Sequence, residues 1–218
     1  MTATQWHFGN LRDVCGKKGI PDPTEHLIAL SWRWKRGDFH ADMATEVWND
    51  LLGQSFTVGD NLYQEHVFAY EAHVEACVCC LHSLSDLIAQ VINDVVLNRL
   101  LGEHNVSMHQ VISLMDSQGV ADEVQNRSET FTASNEFGYV EAFCNTLKHR
   151  LLVKADFHGE FGGEYRNEMG IRFQSFRCKG RLWPMTWGSD ILRDKRAEIA
   201  ELVVRIGLSL DDYVASIP

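Results

Sequence analysis

DNLYQEHVFAYEAHVEACVCCLHSLSDLIAQVINDVVLNRLL, residues Asp60–Leu101, is the stretch of this chain that decides its fold. It contains neither glycine nor proline, and apolar side chains recur along it at helical spacing. These apolar positions are Val74, Cys77, Leu81, Leu84, Ile88, Val91 and Val95. The pattern predicts one long helix, or a nearly continuous pair of helices, about 60 Å long. Gly102 is the residue expected to end it.

The chain before this helix is divided by glycines and prolines. Gly19–Pro23 carries turn residues, and the N-terminal stretch that leads into it shows no helical period, so it is predicted to wrap the outside of the domain. A first helix is expected to begin near Thr24 and to end at Gly37. Phe39–Leu52 is expected to form a second helix.

Three more helices are predicted after the long one. Ser107–Gln110 has the spacing of a capping box, which indicates a short helix that ends near Gly119. Ser189 or Asp190 is expected to cap a last helix that ends at Gly207. Between them, a further helix is indicated by an apolar stripe formed by Phe137, Val140, Cys144, Leu147 and Leu151.

A change in pattern before the last helix predicts a β-hairpin. The residues of Ile171–Phe176 alternate in polarity, and Lys179-Gly180 separates them from the aromatic run Leu182–Trp187. Pro184 restricts the second strand to a sheet edge or a bulge, because proline cannot donate a backbone hydrogen bond.

These elements together predict a mainly α fold. It is a helical bundle with a long central helix and a small β-hairpin inserted before the last helix. We interpret residues 1–218 as a single domain. Its expected parts are an N-terminal wrapping segment and helices (1–58), core helices (59–153), the β-hairpin (170–188) and the C-terminal helix (189–207).

Composition limits the classes of function. A net charge of −10 argues against a broad, sequence-independent nucleic-acid surface, which needs an excess of lysine and arginine. Six cysteines without a secretory signal pattern indicate reduced thiols and a cytoplasmic protein. No continuous apolar run is long enough to span a bilayer, so no membrane association is expected.

Asn145-Thr146-Leu147-Lys148-His149-Arg150 is the segment most suited to chemistry. It places an amide, cations and a titratable imidazole within two turns of one predicted helix. Asn145 and His149 lie about 40° apart around that helix, on the flank of the apolar stripe. A structural interpretation stays open, since a histidine in this setting often supports the fold through hydrogen bonds.

Two sequence segments together resemble those of bacterial HEPN-like helical proteins. They are Leu81-His82-Ser83-Leu84-Ser85-Asp86-Leu87-Ile88-Ala89-Gln90 on the long helix and the Asn145–Arg150 segment on a later one. The resemblance implies a metal-independent ribonuclease without a cofactor. It also implies a homodimer, an RNA substrate, an antitoxin-like protein partner, and a setting in toxin–antitoxin or phage-defence systems.

The family signature has an arginine, often a following polar residue, and a histidine four to six residues beyond the arginine. In this chain Asn145 takes the polar position and His149 the histidine position, while Cys144 stands where the family has arginine. The resemblance therefore leaves two functions open. One is RNA cleavage, and the other is a non-catalytic helical module that binds RNA, a nucleotide or a protein.

RNA cleavage of this kind would assign a role to each residue of the segment. His149 suits proton transfer, because its ordinary pKa lies near neutrality. Asn145 would donate to phosphate or hold the imidazole tautomer, and Lys148 is the nearer cation. Arg150 would support the site or neutralise the helix end.

A polar ladder on the long helix is a further candidate for supporting this site. His82, Asp86 and Gln90 recur at every fourth residue. Asp86 could orient His82 or His149 if another helix covers the ladder. The alternative is a solvated helix face, because the ladder lies opposite the apolar stripe of its own helix.

Other patterns are less specific. Arg99–His104 and Arg33–His40 also satisfy the spacing of the family signature, as chance predicts for this arginine and histidine content. Cys77 and Cys80 could begin a zinc site, but no second closely spaced pair follows them, and small buried cysteines in tight helix packing explain them better. Trp32–Arg36 is compatible with a single-strand clamp or with core tryptophans beside a basic helix end.

Overall fold

The computed structural model describes residues 6–149, 152–160 and 168–218 of the chain, and the described part is mainly α-helical. The side chains of His149, Glu160 and Glu168 are outside the description. The helices are α1 (Phe8–Lys18), α2 (Thr24–Leu52), α3 (Asn61–Val95), α4 (Met108–Gln118), α5 (Asp122–Ala133), α6 (Asn135–His149), α7 (Gly188–Asp190) and α8 (Arg196–Ser216). A 3-10 turn covers Glu103–Asn105, and a π-helical turn, Ile191–Lys195, joins α7 to α8.

Short antiparallel strands precede the last helix, as predicted. The strands are β1 (Ala155–Glu160), β2 (Glu168–Phe173), β3 (Phe176–Cys178), β4 (Arg181–Trp183) and β5 (Thr186–Trp187). β2 pairs with β1 on one side and with β5 on the other, while β3 and β4 form a separate two-stranded ribbon.

The chain forms two compact units, each assembled from separate segments. Unit 1 contains the residues up to Trp34, His82–Gly138 and Glu198–Pro218. Unit 2 contains Lys35–Leu81 and Tyr139–Ala197, and therefore all the strands. Unit 2 has an aromatic core in which the ring of α6 residue Phe143 meets rings from β2 and β3 edge to face.

Helix α3 confirms the long predicted helix and its buried face. All seven residues of the apolar pattern are at most 3% exposed. Asp60 caps the start, because its Oδ1 accepts a hydrogen bond from the backbone N–H of Tyr63 over 2.7 Å. The helix ends at Val95, earlier than Gly102, because the amide of Asn93 pairs with both backbone groups of Leu101 and holds the following loop.

By length and composition alone, α3 is also apolar enough to cross a membrane. However, 56% of its most apolar window is buried inside the protein. The core helix of a soluble protein meets the same criteria.

The N-terminal prediction was wrong in one respect, since α1 is a regular helix. It buries Leu11 and Cys15, one turn apart, and ends at Gly19, whose φ of 68° supplies the left-handed cap. These two are its only fully buried residues, and so short an apolar pattern gives little periodic signal in the sequence.

Helix α2 is a single helix of 29 residues, so the predicted break at Gly37 is also wrong. Gly37 is buried, and a Cβ at this position would lie 3.5 Å from the Cβ of Cys80. The glycine therefore permits close approach of α2 to α3 within unit 2. Sequence alone cannot separate this role from that of a helix stop.

The predicted short helix and its cap at Ser107 are confirmed. The Ser107 hydroxyl accepts from the backbone N–H of Gln110, and α4 ends at Gly119 with a φ of 62°.

The predicted hairpin was incomplete. It omitted β1, and the aromatic run forms two strands, β4 and β5, on either side of Pro184. Lys179 and Gly180 both have positive φ, as a tight two-residue turn requires.

The last helical segment extends to Ser216, so Gly207 does not end it. Gly207 is buried in unit 1, and a Cβ there would lie 2.0 Å from the indole of Trp6. No side chain fits at that distance unless the indole moves. Glycine is thus retained inside a helix because an aromatic ring packs directly on its backbone.

Gly207→Ala is expected to lower the free energy of unfolding by about 2 kcal/mol, because overpacking of the Trp6 contact outweighs the better helix propensity of alanine. Urea denaturation measures the change. Gly16→Ala is the matched control, since no atom lies within 4 Å of its added Cβ on α1. That change should instead stabilise the protein by about 0.5–1 kcal/mol. Equal stabilisation by both substitutions would contradict the packing of Trp6 on Gly207.

Candidate functional site

Ser134 sets the position of helix α6, which carries the predicted chemical segment. Its hydroxyl donates to the carbonyl of Phe131 over 2.9 Å at the end of α5 and accepts from the backbone N–H of Phe137 over 3.2 Å. One side chain thus closes one helix and caps the next. In unit 2, α6 is anchored by Tyr139 and Phe143, which are at most 1% exposed.

The predicted residues occupy the C-terminal end of α6. Asn145 is half-buried and Lys148 is exposed, so an amide lies at the border of the core and an ammonium faces solvent. His149 is the last helical residue, one turn after Asn145, and its side chain is not described. Arg150 lies outside the described residues.

Cys144, which stands where the HEPN signature has an arginine, faces the interior of unit 2. It is 0% exposed, and its Sγ lies 3.6 Å from Sγ of Cys79 on α3. The hydrogen bond between the thiols raises the pKa of Cys79, burial raises it further, and the charge of Lys148 opposes both effects. An arginine at position 144 would therefore enter the core, away from the solvent that Lys148 faces.

The polar ladder of α3 belongs to unit 1, whereas Asn145 and Lys148 belong to unit 2. His82 is half-buried and stacks on Phe137, with ring centroids 6.3 Å apart. Gln90 donates from Nε2 to the carbonyl of Glu103 over 2.9 Å. Asp86 is exposed. His82 and Gln90 therefore make structural contacts within unit 1. Of the three ladder residues, only Asp86 fits the prediction of a solvated face.

Unit 1 contains an ionic network around Asp94 that the sequence patterns did not predict. This carboxylate is 2% exposed, and it lies 2.6 Å from Nδ1 of His26 and 2.8 Å from Nε of Arg99. Arg99 also donates from Nη2 to the carbonyl of Asp22, and its φ is 58°. The network joins the start of α2 to the loop after α3. A signal was present, since Asp94 interrupts the buried apolar end of α3, but 68 residues separate it from its imidazole partner.

This network bears on the alternative match at Arg99–His104. Two nitrogens of the Arg99 guanidinium are already held by Asp94 and by the backbone of Asp22. His104 is exposed in the 3-10 turn. The arrangement therefore uses Arg99 to close a loop and gives no support to a phosphate-binding role.

The structure also bears on the cysteine pair and on the tryptophan segment of α2. Cys77 and Cys80 are both buried, and burial raises the pKa of Cys77 to about 12. Within the described ranges, no three histidine, cysteine, aspartate or glutamate residues form a cluster that could hold a metal ion. Trp32 on α2 is 59% exposed, so the core interpretation is wrong for this tryptophan.

The π-helical turn before α8 is an irregularity that the sequence did not predict. The backbone N–H of Arg196 bonds to the carbonyls of Ile191 and Arg193 and passes over that of Leu192. The Arg196 side chain supplies the missing donor from Nε over 2.7 Å and also pairs with Asp38. Arg196 lines a pocket of about 300 Å³ in unit 2, but its charge is already matched by Asp38.

No known protein family, curated protein or solved structure matches this chain significantly.

Glu71 on α3 gives unit 2 a pH dependence. Burial raises its pKa from 4.5 to about 7, and the charges of Glu75 and Asp156 add to the shift. The folded protein thus holds the proton more tightly than the unfolded chain. The stability contributed by this group is complete below pH 4.5 and is lost as the pH rises through about 7.

Glu71→Gln is therefore expected to raise the urea midpoint at pH 8 and to change it little near pH 4.5. Denaturation curves at both pH values measure this difference. Glu65→Gln, at an exposed position on the same helix, is the control and should show no such contrast. Equal effects of Glu71→Gln at the two pH values would show that Glu71 is not buried as described.

Proposed function

We propose that this protein is a HEPN-like, metal-independent ribonuclease whose site is the C-terminal end of α6. One observation carries the proposal. A half-buried amide at Asn145, an exposed ammonium at Lys148 and a histidine at position 149 follow one another on two turns of a single helix. These are the groups that cleavage of a phosphodiester requires without a metal.

The chemistry follows from these side chains. His149 accepts the proton of the 2′-hydroxyl, and the 2′-oxygen then attacks phosphorus while the bond to the 5′-oxygen breaks. The leaving oxygen receives a proton, from the imidazolium or from water. Lys148 and Asn145 would stabilise the negative charge on the phosphate. The products are a 2′,3′-cyclic phosphate and a 5′-hydroxyl, and no cofactor takes part.

The biological setting belongs to the same proposal. The net charge of −10 favours a selected RNA bound at a local site over general nucleic-acid binding. A homodimer would place two α6 sites in one assembly, and an antitoxin-like protein would restrain the activity. Location in the cytoplasm agrees with six thiols that form no disulfide.

A second candidate function is binding without cleavage. The observation that favours it is the burial of Cys144, because the cation of the family signature has no place at that position. Such a protein would hold RNA, a nucleotide or a protein partner through Asn145 and Lys148 and would release it unchanged.

Incubation of the purified protein with a mixed cellular RNA pool in excess chelator tests the proposal. We expect cleavage with cyclic-phosphate and 5′-hydroxyl ends. Retention of the RNA on a filter without cleavage would support the second candidate. Cleavage that requires added metal, or that leaves a 3′-hydroxyl, would exclude the proposed mechanism.

A further inference from the structure

Residues 176–183, which comprise β3, β4 and the turn between them, form a cationic ribbon in unit 2. Between positions 169 and 189 the chain contains four arginine or lysine residues and no aspartate or glutamate, although its net charge is −10. Three of these cations, Arg177, Lys179 and Arg181, are on the ribbon, and all three are exposed. The ribbon is therefore a local positive surface on an acidic protein, of the kind that contacts a polyanion at a few phosphate groups.

Aromatic rings attach the ribbon to α6. The rings of Phe176 and Trp183, which are partners in the strand register, meet the ring of Tyr139 edge to face, with centroids 5.6 and 5.9 Å apart. Trp183 is 6% exposed and Tyr139 is 1% exposed, so these contacts belong to the core of unit 2. The cations of the ribbon are thus held in place relative to α6 by a packed base.

The ribbon lies beside the face of α6 that carries the proposed site. Nζ of Lys179 lies 3.0 Å from Oε1 of Glu141 on α6. Glu141, Asn145 and Lys148 follow one another at spacings of four and three residues, so they lie within about 40° of one another around the helix. Glu141 and Lys148 are about 10 Å apart along the helix axis. An extended RNA strand at the α6 site would therefore reach the ribbon within a few nucleotides.

The three cations suit contacts to phosphate and to bases. Lys179 engages one of its three ammonium hydrogens with Glu141 and keeps two for a phosphate. The guanidinium of Arg181 lies over the ring of Trp183, 3.8 Å from its centroid, so the indole supports one face of this exposed cation. A base can stack on the opposite face, and Arg177 adds a second exposed guanidinium. Stacking of this kind requires an unstacked base, which favours a single strand over a duplex.

We propose that the cationic ribbon is an RNA-docking surface, which binds a single-stranded segment next to the one at the C-terminal end of α6. The inference rests on the proposed function for the identity of its ligand. The ribbon contains no histidine or carboxylate, and it takes no part in the proton transfers of cleavage. It supplies the local attraction to phosphate that an acidic protein needs in order to hold RNA.

Binding of an RNA that cannot be cleaved tests the ribbon. The probe is a fluorescent single-stranded oligonucleotide whose 2′-hydroxyl groups are methylated, and fluorescence anisotropy measures its Kd over a range of salt concentrations. The double variant Arg177→Gln/Arg181→Gln should weaken binding about ten-fold or more at low salt. The slope of log K against log salt should decrease in magnitude by about 1.4, since each phosphate contact on a single strand contributes about 0.7.

Arg127→Gln/Arg205→Gln is the matched control. Both arginines are on helices of unit 1, where each pairs with a glutamate one turn earlier, so this double variant changes the net charge by the same amount. It should leave the Kd and the salt slope nearly unchanged. If circular dichroism shows the ribbon double variant to be unfolded, Lys179→Gln replaces it, with an expected change of about 0.7 in the slope.

The outcomes separate this inference from the ribonuclease proposal. Ribbon-dependent binding without cleavage of natural RNA would support the docking surface and remove the enzyme. Cleavage of natural RNA together with equal binding by the wild type and the ribbon variants would retain the enzyme and overturn the docking surface. Failure of the wild type to bind the probe at low salt, or ribbon-dependent binding to anionic lipid vesicles in place of RNA, would also overturn it.

Discussion

His149→Ala is expected to slow RNA cleavage by about 10²–10⁴-fold, which is the usual contribution of a positioned general acid or base. The reason is that alanine can neither accept the 2′-hydroxyl proton nor return one to the leaving oxygen. The measurement is the single-turnover rate on one RNA substrate in excess chelator. A wild-type rate that falls on both sides of a pH optimum would indicate that one general acid and one general base take part.

Three comparisons make this result specific. Lys148→Ala would remove only the proposed phosphate contact and should reduce the rate less than His149→Ala does. His109→Ala, at an exposed position on α4, should leave it unchanged. His104→Ala tests the alternative signature match and should also have no effect. Loss of cleavage in His104→Ala with retention in His149→Ala would move the site from α6 to the loop after α3.

Urea denaturation of each variant separates lost chemistry from lost folding. His149 is the last residue of α6, so its replacement should alter stability little. Equal cleavage by wild type and His149→Ala would show that this histidine is not the proton-transfer group. The binding function would then be the better account of the segment.

Introduction of the arginine of the HEPN signature at position 144 is expected to destabilise the fold and not to enhance the proposed cleavage. Cys144→Arg places a long charged side chain at a position that is 0% exposed and that contacts Cys79. Burial of an unpaired charge costs several kcal/mol, and we expect a loss of about 3–5 kcal/mol in the free energy of unfolding. Urea denaturation measures this loss.

Cys144→Ser is the control, because it keeps the volume and a hydrogen-bonding group at the same position. It should cost about 1 kcal/mol and leave cleavage intact. A stable Cys144→Arg variant with faster cleavage would show that position 144 opens onto the α6 site. In that case an arginine at position 144 could reach the proposed site, and the burial of Cys144 would not explain the absence of an arginine there.

The sequence predicted the elements whose signals are local. The apolar pattern of α3 is a property of neighbouring turns, and all seven of its residues are buried. The cap at Ser107 and the turn at Lys179-Gly180 depend on a few adjacent residues, and both are confirmed. Residues within one or two turns interact in almost any tertiary context, so a pattern on that scale is reliable.

The roles of two glycines were predicted wrongly from the local sequence. Gly119 ends a helix, whereas Gly37 and Gly207 lie inside helices where Cys80 and Trp6 approach the backbone. A residue without a side chain can end a helix in the left-handed conformation, and it can equally well let another residue pack against the helix backbone. Only the position of the neighbour decides between them, and that neighbour is distant in sequence.

The candidate site divides in the same way. Sequence alone determined the mainly α fold and the presence of a strand region before the last helix. It also determined the placement of Asn145, Lys148 and His149 on successive turns of one helix, because helical spacing fixes that relation. Tertiary structure alone decided that Cys144 faces the core and that Asp94 holds His26 and Arg99. Those contacts join residues on different elements, and their geometry exists only once the helices pack.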